Sequence, residues 1–354
     1  MNNTPAGTSA DLADLAARTA VRLATPAPRT RRAGWGQSLA DGAVGIALLH
    51  IERARTGNGT WTTVHGWLTA ATIGSVAATT AAGLFVGAPA LAFALHTTAG
   101  RYQRTLTTVD TVVSALAHRR VDAALARIHR GVPARFDEYD IINGLTGIGA
   151  HLLHHRPDDE ALPRILAYLV RLTRPLDIGD DTVPGWWVGH NPDLTTGHAA
   201  GHANLGLAHG IAGPLALLAL AHRAGITVDA HLDAIDRIWS WYQTWQQDHP
   251  SGPWWPQWLT HTELRRRRAG QLRPGRPSWC YGTPGIARAL QLAAIATGDR
   301  TRQRLAEQAL AGCLTDPDQL AHLTDPGLCH GTAGLYQTAW RAAVDAIDPH
   351  LATL

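Results

Sequence analysis

The sequence predicts an all-α protein of the α/α-toroid class, a double ring of helical hairpins with six or seven repeats. Six places carry two small residues three apart, followed by an apolar run with helical period. Their first glycines lie 45 to 72 residues apart, which leaves room for two helices and their loops. Runs of β-branched residues with period two are nearly absent. We call these places the glycine motifs: Gly42–Gly45, Gly87–Ala90, Gly144–Gly147, Gly210–Gly213, Gly282–Gly285 and Gly331–Gly334.

In this arrangement each repeat supplies an outer helix, a glycine turn and an inner helix that lines the ring. Glycine lets the backbone approach closely at such a turn. The inner helices then all begin at one end of the ring, where their positive dipole ends favour anions and thiolates. The residue before the first glycine is polar in five of the six motifs. We expect those side chains to converge on the ring axis.

The chain of 354 residues permits one large domain or two ordinary ones. We predict that residues 1–33 form an N-terminal tail or the first outer helix, with a helix over Asp11–Leu23. Residues 34–354 are predicted to form a single toroid domain.

The segment Thr56–Gly100 contains no charged side chain. A membrane helix needs about 20 strongly apolar residues, whereas this segment is rich in Ala, Gly and Thr, so we predict a buried helical hairpin and no transmembrane segment. Three cysteines and the absence of a secretory signal favour a reducing cytoplasm.

The net charge is only +3, and every basic residue is Arg. The one dense basic run, Arg265–Arg268, is typical of a solvated face and less often a dock for an acidic peptide or a phosphate. We therefore predict no nucleic-acid partner.

Two of the three cysteines occupy matching places in the last two glycine motifs, in Trp-Cys280-Tyr-Gly and Leu-Cys329-His330-Gly. Two thiols and an imidazole are ligands that zinc prefers. Three protein ligands would leave one position open, as in catalytic zinc sites. The alternative is a closed structural site with Cys313 as fourth ligand, but Cys313 falls on the apolar face of a predicted helix.

His209 occupies the same motif position as His330, within Ala208-His209-Gly210. A His that projects toward a thiol-rich metal is a candidate acid or base. The alternative is a structural His. Asp140, four residues before Gly144, is a candidate to orient His209 or to balance its charge.

Tryptophans concentrate in two segments rich in Pro and Gly, Gly185–Val188 and Gly252–Trp258. They predict either core packing between the loops and the ring or an apolar wall over a peptide-binding cleft.

Taken together, these motifs resemble the LanC family, the lanthipeptide (lantibiotic) synthetase cyclases, from about Trp35 to Trp340. The resemblance rests on the Trp-Cys280-Tyr-Gly and Cys329-His330-Gly motifs, on Gly206–Ile211, and on the stretch from Tyr139 to Gly147.

The resemblance implies a seven-hairpin toroid that binds Zn²⁺ through Cys280, Cys329 and His330. It implies addition of peptide Cys thiolates to dehydroalanine or dehydrobutyrine, which forms (methyl)lanthionine thioether rings. The catalytic residues that match the family are His209, Asp140, Tyr281 and Arg276. The expected partners are a dehydrated lanthipeptide precursor and the dehydratase that prepares it, either free in the cytoplasm or at the periphery of a membrane-associated complex.

The chain departs from the family in showing six glycine motifs where seven hairpins are expected. Leader recognition is expected to use the rim, including the loop Trp254–Trp258. The competing hypothesis is a non-cyclising LanC-like zinc protein that binds glutathione or a peptide thiol. An α/α-toroid glycosidase or terpenoid cyclase would need catalytic carboxylates and has no use for the two cysteines.

Overall fold

The computed structural model describes residues 9–26, 34–193, 195 and 200–354. The chain divides into two compact units, residues 1–116 and 117–354. The helices are α1 Ser9–Arg22, α2 Ala43–Arg55, α3 Trp61–Ala71, α4 Ala88–His96, α5 Gln103–His129, α6 Phe136–Tyr139, α7 Leu145–His155, α8 Ala161–Leu172, α9 Ala212–Arg223, α10 His231–Trp245, α11 His261–Arg266, α12 Thr283–Thr297, α13 Arg300–Thr315, α14 Pro317–Leu320 and α15 Thr332–Val344, with 3₁₀ turns at Trp35–Gln37 and Pro349–Thr353.

The first unit contains α1 to α4 and the N-terminal part of α5. The helix predicted over Asp11–Leu23 is present as α1. The carbonyl of Leu23, just beyond its end, is 2.7 Å from His50 Nε2 of α2 and accepts a hydrogen bond from Trp67 Nε1 of α3 at 2.8 Å. The chain after α1 is therefore held against two further helices. Residues 27–33 of the predicted tail lie outside the described part of the chain.

The prediction that Thr56–Gly100 forms a helical hairpin by itself was wrong, because its two helices do not pair with each other. The segment does contain two helices, α3 and α4, but α3 forms its hairpin with the preceding helix α2, and α4 also packs against α2. The residues between α3 and α4 include an exposed stretch, with Ile73 80% accessible. Within the described residues, none of the helices combines the length and apolar content that a bilayer crossing requires.

The second unit repeats one arrangement of helix pairs. Helices α7, α9, α12 and α15 pack in series, each against the next. Helix α8 pairs with α7, α10 with α9 and α13 with α12, which gives an inner helix and an outer helix in each pair. The inner helices are heavily buried because apolar side chains cover most of their circumference, as in α12, where Ile286, Leu290 and Ala293 are all at most 1% exposed.

All six glycine motifs stand where a helix begins. Gly42, Gly87, Gly144, Gly282 and Gly331 directly precede the first residue of α2, α4, α7, α12 and α15. The motif at Gly210 leads into α9, which begins two residues later. The prediction that each motif opens a helix was therefore correct.

Four strands of three residues each escaped the sequence analysis: β1 Leu176–Ile178, β2 Asp181–Val183, β3 His202–Asn204 and β4 Trp258–Thr260. Strands β1 and β2 form an antiparallel hairpin. Strands β3 and β4 are also antiparallel, and Asn204 lies opposite Trp258. The hydrogen bonds between β3 and β4 therefore join the segment before His209 to the segment that precedes Cys280.

Candidate active site

Backbone hydrogen bonds join four turns of the second unit in sequence. The N–H of Ile141 donates to the carbonyl of Ala208 at 3.0 Å. The N–H groups of Leu207 and Ala208 donate to the carbonyl of Cys280 at 3.0 and 3.2 Å. The N–H of Cys280 in turn donates to the carbonyl of Cys329 at 3.1 Å. The residues singled out in the last four glycine motifs are therefore neighbours, although they are spread over almost 200 positions of the chain.

Glycine is required at two of these contacts. Gly282 has a φ of 123°, and a Cβ there would lie 2.5 Å from the carbonyl oxygen of Arg276. A Cβ at Gly206 would lie 2.7 Å from the carbonyl oxygen of Cys280 and 2.8 Å from the Tyr281 ring. Only Gly tolerates the φ at position 282 and the close approach at position 206. Gly206 thereby lets the segment before His209 pack directly against Cys280 and Tyr281.

The ligand atoms of Cys280, Cys329 and His330 all lie within 4.8 Å of one another. Cys280 is buried, whereas Cys329 and His330 are exposed, so the cluster is open to solvent on one side. Two sulfurs and one nitrogen at this separation suit a tetrahedral zinc ion that keeps a fourth position for another ligand. Cys313 is not one of the grouped ligands within the described chain. It is buried in α13, where burial raises the pKa of its thiol.

The two thiols of the cluster shift each other's pKa in opposite directions. A hydrogen bond from the Cys329 thiol lowers the pKa of Cys280 to about 5, and the Ser278 hydroxyl and the Tyr281 N–H add to this effect against the opposing cost of burial. Since Cys329 donates to a sulfur that is already anionic, the same hydrogen bond raises the pKa of Cys329. A sulfur that ionises this readily fits the requirement that cysteine binds a metal as thiolate.

Next to the cluster, His209 and Asp140 form a hydrogen-bonded pair. His209 Nδ1 lies 2.6 Å from Asp140 Oδ2. Asp140 is fully buried, and its Oδ1 accepts hydrogen bonds from the backbone N–H groups of Asn143 and Gly144, both at 2.7 Å. The start of α7 therefore fixes the carboxylate, which accepts a hydrogen bond from Nδ1–H. This leaves Nε2 of a side chain that is 28% exposed free to face a substrate.

Aromatic side chains hold the His209 ring from two sides. The Phe136 ring lies edge-on at a centroid distance of 5.4 Å, and the Tyr281 ring lies tilted at 6.1 Å. The observed contact between His209 and Tyr281 agrees with the expectation that residues before the first glycine converge.

Tyr281 is itself oriented by Asn204, which the sequence analysis did not identify. Asn204 Nδ2 donates to Tyr281 Oη at 2.9 Å, while Asn204 Oδ1 accepts from the N–H of Gly206 at 3.0 Å. Because the Tyr281 oxygen is an acceptor in this bond, its own hydrogen is available to another group. Burial raises the pKa of Tyr281, which keeps the phenol protonated. The only sequence signal was the position of Asn204 on the approach to His209.

Arg276 approaches the cluster from the segment that precedes Cys280. The positive charge of Arg276 acts on the Cys329 thiol and counteracts part of the rise in its pKa. Arg276 Nε is buried and has no hydrogen-bond acceptor within the described residues. This buried guanidinium nitrogen thus keeps an unused hydrogen-bond donor near the thiol cluster.

The tryptophan segments divide between the two predicted roles. Trp186, Trp187, Trp254 and Trp255 are at most 3% exposed, so core packing is the correct interpretation for these four. Trp258 is 36% exposed and meets the Tyr281 ring edge-on at 6.3 Å. It lines a cavity of about 450 Å³ together with Asn191, Pro192, Asp193, Thr260, His261 and Thr262. The basic run after it is solvent-exposed, and Arg265 pairs with Asp181.

Comparisons with known proteins identify the family and the fold of the chain. A family model described as lanthionine synthetase C-like protein matches residues 34–351. The nisin biosynthesis protein NisC of Lactococcus lactis subsp. lactis is 26% identical over 209 residues, which are 56% of this chain and 48% of the relative. The chain thus aligns with about half the length of this curated relative.

A solved structure, nisin cyclase, superposes with a TM-score of 0.74 at 21% identity, covering 94% of this chain and 81% of that chain. This likeness confirms the predicted fold class, an α/α toroid.

Proposed function

The chain belongs to the lanthionine synthetase C-like family, and from this premise we propose that it is a lanthipeptide cyclase. The reaction is the addition of a peptide Cys thiol to dehydroalanine or dehydrobutyrine in the same peptide. One S–H bond and the π bond of one C=C group are replaced by a C–S bond and a C–H bond, and the C–C single bond remains. The product is a (methyl)lanthionine ring with the mass of the uncyclised peptide.

The observation that carries this proposal is the hydrogen-bonded pair His209–Asp140 beside the three-residue cluster of Cys280, Cys329 and His330. A thiol-binding protein needs only the cluster. Ring closure needs in addition a group that moves a proton, and His209 Nε2 is free to do so because Asp140 occupies Nδ1.

We propose that Cys280, Cys329 and His330 hold Zn²⁺. Their donor types and mutual distances fit this ion, and no fourth protein ligand is grouped with them in the described chain. Bound zinc would supply the positive charge that keeps a coordinated substrate thiol deprotonated at neutral pH.

The pair His209–Asp140 would transfer protons during the reaction. The substrate sulfur attacks the β-carbon of the dehydro residue, and the π electrons move to the α-carbon and its carbonyl as an enolate. His209 Nε2 takes up a proton as the thiol ionises and returns one to the α-carbon. Buried Asp140 stabilises the imidazolium that forms between these two events, as the carboxylate of a catalytic triad does.

Two donors are suited to the enolate oxygen. The Tyr281 hydroxyl hydrogen is not used by Asn204, and Arg276 Nε has no acceptor within the described residues. Donors aimed at developing charge stabilise it more than the neutral carbonyl. Trp258 offers an apolar surface for the residues that flank the reacting pair, at the edge of a cavity that is otherwise lined mostly by polar side chains.

The proposed partners follow from this reaction. The substrate is a dehydrated lanthipeptide precursor, so a dehydratase must act on Ser and Thr of the same peptide beforehand. We propose that all of these steps take place in the cytoplasm.

The proposal is tested with a synthetic peptide that carries one Cys and one dehydroalanine a few residues apart. Zinc-loaded protein should remove the free thiol, measured by alkylation, without changing the peptide mass. His209→Ala should keep its zinc and lose this activity. If the peptide binds but the thiol persists at the rate of a reaction without enzyme, the non-cyclising zinc protein is the better assignment.

A further inference from the structure

One of the two ring nitrogens of His330 contacts a carboxylate. His330 Nε2 lies 3.2 Å from Oδ2 of Asp325, five residues earlier in the chain. The other carboxylate oxygen, Oδ1, accepts a hydrogen bond from the N–H of Gly327 at 2.6 Å, and the Asp325 carbonyl accepts one from the N–H of Thr332 at 3.0 Å. The turn before α15 therefore fixes the carboxylate beside the imidazole.

This contact bears on which nitrogen can bind a metal. A neutral imidazole carries one N–H donor and one lone pair. A carboxylate only accepts, so its contact at 3.2 Å favours the tautomer with the proton on Nε2 and the lone pair on Nδ1. Asp325 itself is not grouped with the two sulfurs and His330 among ligand atoms that lie within 4.8 Å of one another. It is thus placed to act on the ring rather than to join the ligands.

We propose that Asp325 is a positioning residue of the metal centre, which holds His330 as the Nε2–H tautomer so that Nδ1 is the nitrogen that binds the ion. This inference rests on the zinc site of the proposed function. A carboxylate that accepts from a metal-bound imidazole orients the ring and raises its basicity. Because both side chains are partly exposed, at 46% and 39%, the pair alone contributes little to folding. Its effect is therefore on metal affinity.

Asp325→Asn distinguishes the two roles of the carboxylate, which are to accept the hydrogen bond of the turn and to contact His330. The amide oxygen can still accept from the N–H of Gly327, so the turn is kept. The amide NH₂ then faces His330 and donates to Nε2, which favours the Nδ1–H tautomer and removes the lone pair needed for the metal. We expect the zinc dissociation constant to rise about 10- to 100-fold, with an unchanged circular dichroism spectrum and melting temperature.

A matched control exists in the same unit. Asp348 Oδ1 accepts from the N–H of His350, two residues on, at 2.9 Å, as Asp325 does from Gly327. Asp348→Asn makes the same change of charge in the same kind of turn without a metal ligand beside it. Its zinc affinity should equal that of the wild type.

The measurements are competition of zinc against a chromogenic chelator and the identity of the bound nitrogen, read from a crystal structure of the zinc-loaded protein. Tight binding by the wild type with Nδ1 on the ion, and weaker binding by Asp325→Asn alone, is the expected result. The inference is overturned if Nε2 or the Asp325 carboxylate binds the ion in the wild type, or if Asp325→Asn binds zinc as tightly as the wild type. The proposed function stands in either case. Absence of zinc binding by the wild type overturns both.

Discussion

Replacing Asp140 by Asn should slow cyclisation strongly while leaving the metal centre and the fold in place. The Asn oxygen can accept the two backbone N–H groups that Asp140 Oδ1 accepts at 2.7 Å. The amide NH₂ then occupies the position of Oδ2 and donates to His209 Nδ1. The ring is thereby driven to the Nε2–H tautomer, and no negative charge stabilises the imidazolium.

The magnitude follows from the geometry of the pair. Its hydrogen bond is 2.6 Å long, and the carboxylate is completely buried. A hydrogen bond to a charged group contributes about 1.5–3 kcal/mol, which corresponds to a rate loss of about 10- to 160-fold. The wrong tautomer adds to this loss, since the equivalent change in a catalytic triad reduces kcat about 10⁴-fold. We therefore expect kcat to fall by at least about tenfold.

The assay is the initial rate of free-thiol loss on a dehydrated peptide, with zinc content measured on the same sample. Asp137→Asn is the matched control, because Asp137 lies on the same turn but pairs with Arg135 at the surface. A wild-type rate in Asp140→Asn with a full zinc content would refute the assignment of Asp140 as the partner of a catalytic His209.

Three further predictions concern the cluster, the turn and the Tyr281 hydroxyl. Cys280→Ala should lose zinc and ring closure together, and full metal content in this variant would reject the ligand assignment. Gly282→Ala should lower the free energy of unfolding by about 3 kcal/mol or more, since the new Cβ meets a carbonyl oxygen at 2.5 Å in addition to the strained φ. Gly298→Ala, also at positive φ but with open space around it, should cost only about 1–2 kcal/mol in denaturant titration, and an equal loss in both would contradict the steric argument. Asn204→Asp replaces the amide donor by a carboxylate acceptor, so the Tyr281 hydroxyl should donate its hydrogen to this carboxylate. Because the hydroxyl is then no longer available to the substrate, kcat should fall about tenfold. An unchanged kcat would exclude this hydroxyl from the reaction.

The fold was largely predictable because the glycine motifs are a local signal. Each motif opens a helix, and this depends on residues within a few positions of the glycine. The pairing of α3 with α2 was missed because a charge-free composition indicates burial but carries no information about which helix is the neighbour. The three-residue strands were missed for a similar reason. Strand β3 exists only because β4, more than 50 residues later, supplies its hydrogen-bond partners.

The candidate site was predictable in its chemical groups but not in their orientation. Cys280, Cys329 and His330 are unusual residue types in repeated positions, so the sequence alone singles them out. Asn204 and Asp325 are common in turns, and nothing in the sequence separates them from the other Asn and Asp residues that cap turns. Their effect appears only in the structure, from the hydrogen bond of Asn204 to Tyr281 and from the contact of Asp325 with His330.

The two histidines of the site contact their carboxylates through different ring nitrogens, and this difference bears on the role proposed for each. Each is paired with a carboxylate that a backbone turn holds in place, but Asp140 takes Nδ1 of His209 whereas Asp325 takes Nε2 of His330. Nδ1 is the nitrogen nearer to Cβ, so His330 would present its lone pair close to its own backbone, beside the sulfur of its neighbour Cys329. Nε2 is the outer nitrogen, so His209 presents its lone pair at the tip of the side chain, where a substrate can reach it. In the proposed function, two copies of one glycine turn thus use the same side chain for two roles: His330 as a metal ligand close to the backbone, and His209 as an acid–base group that reaches the substrate.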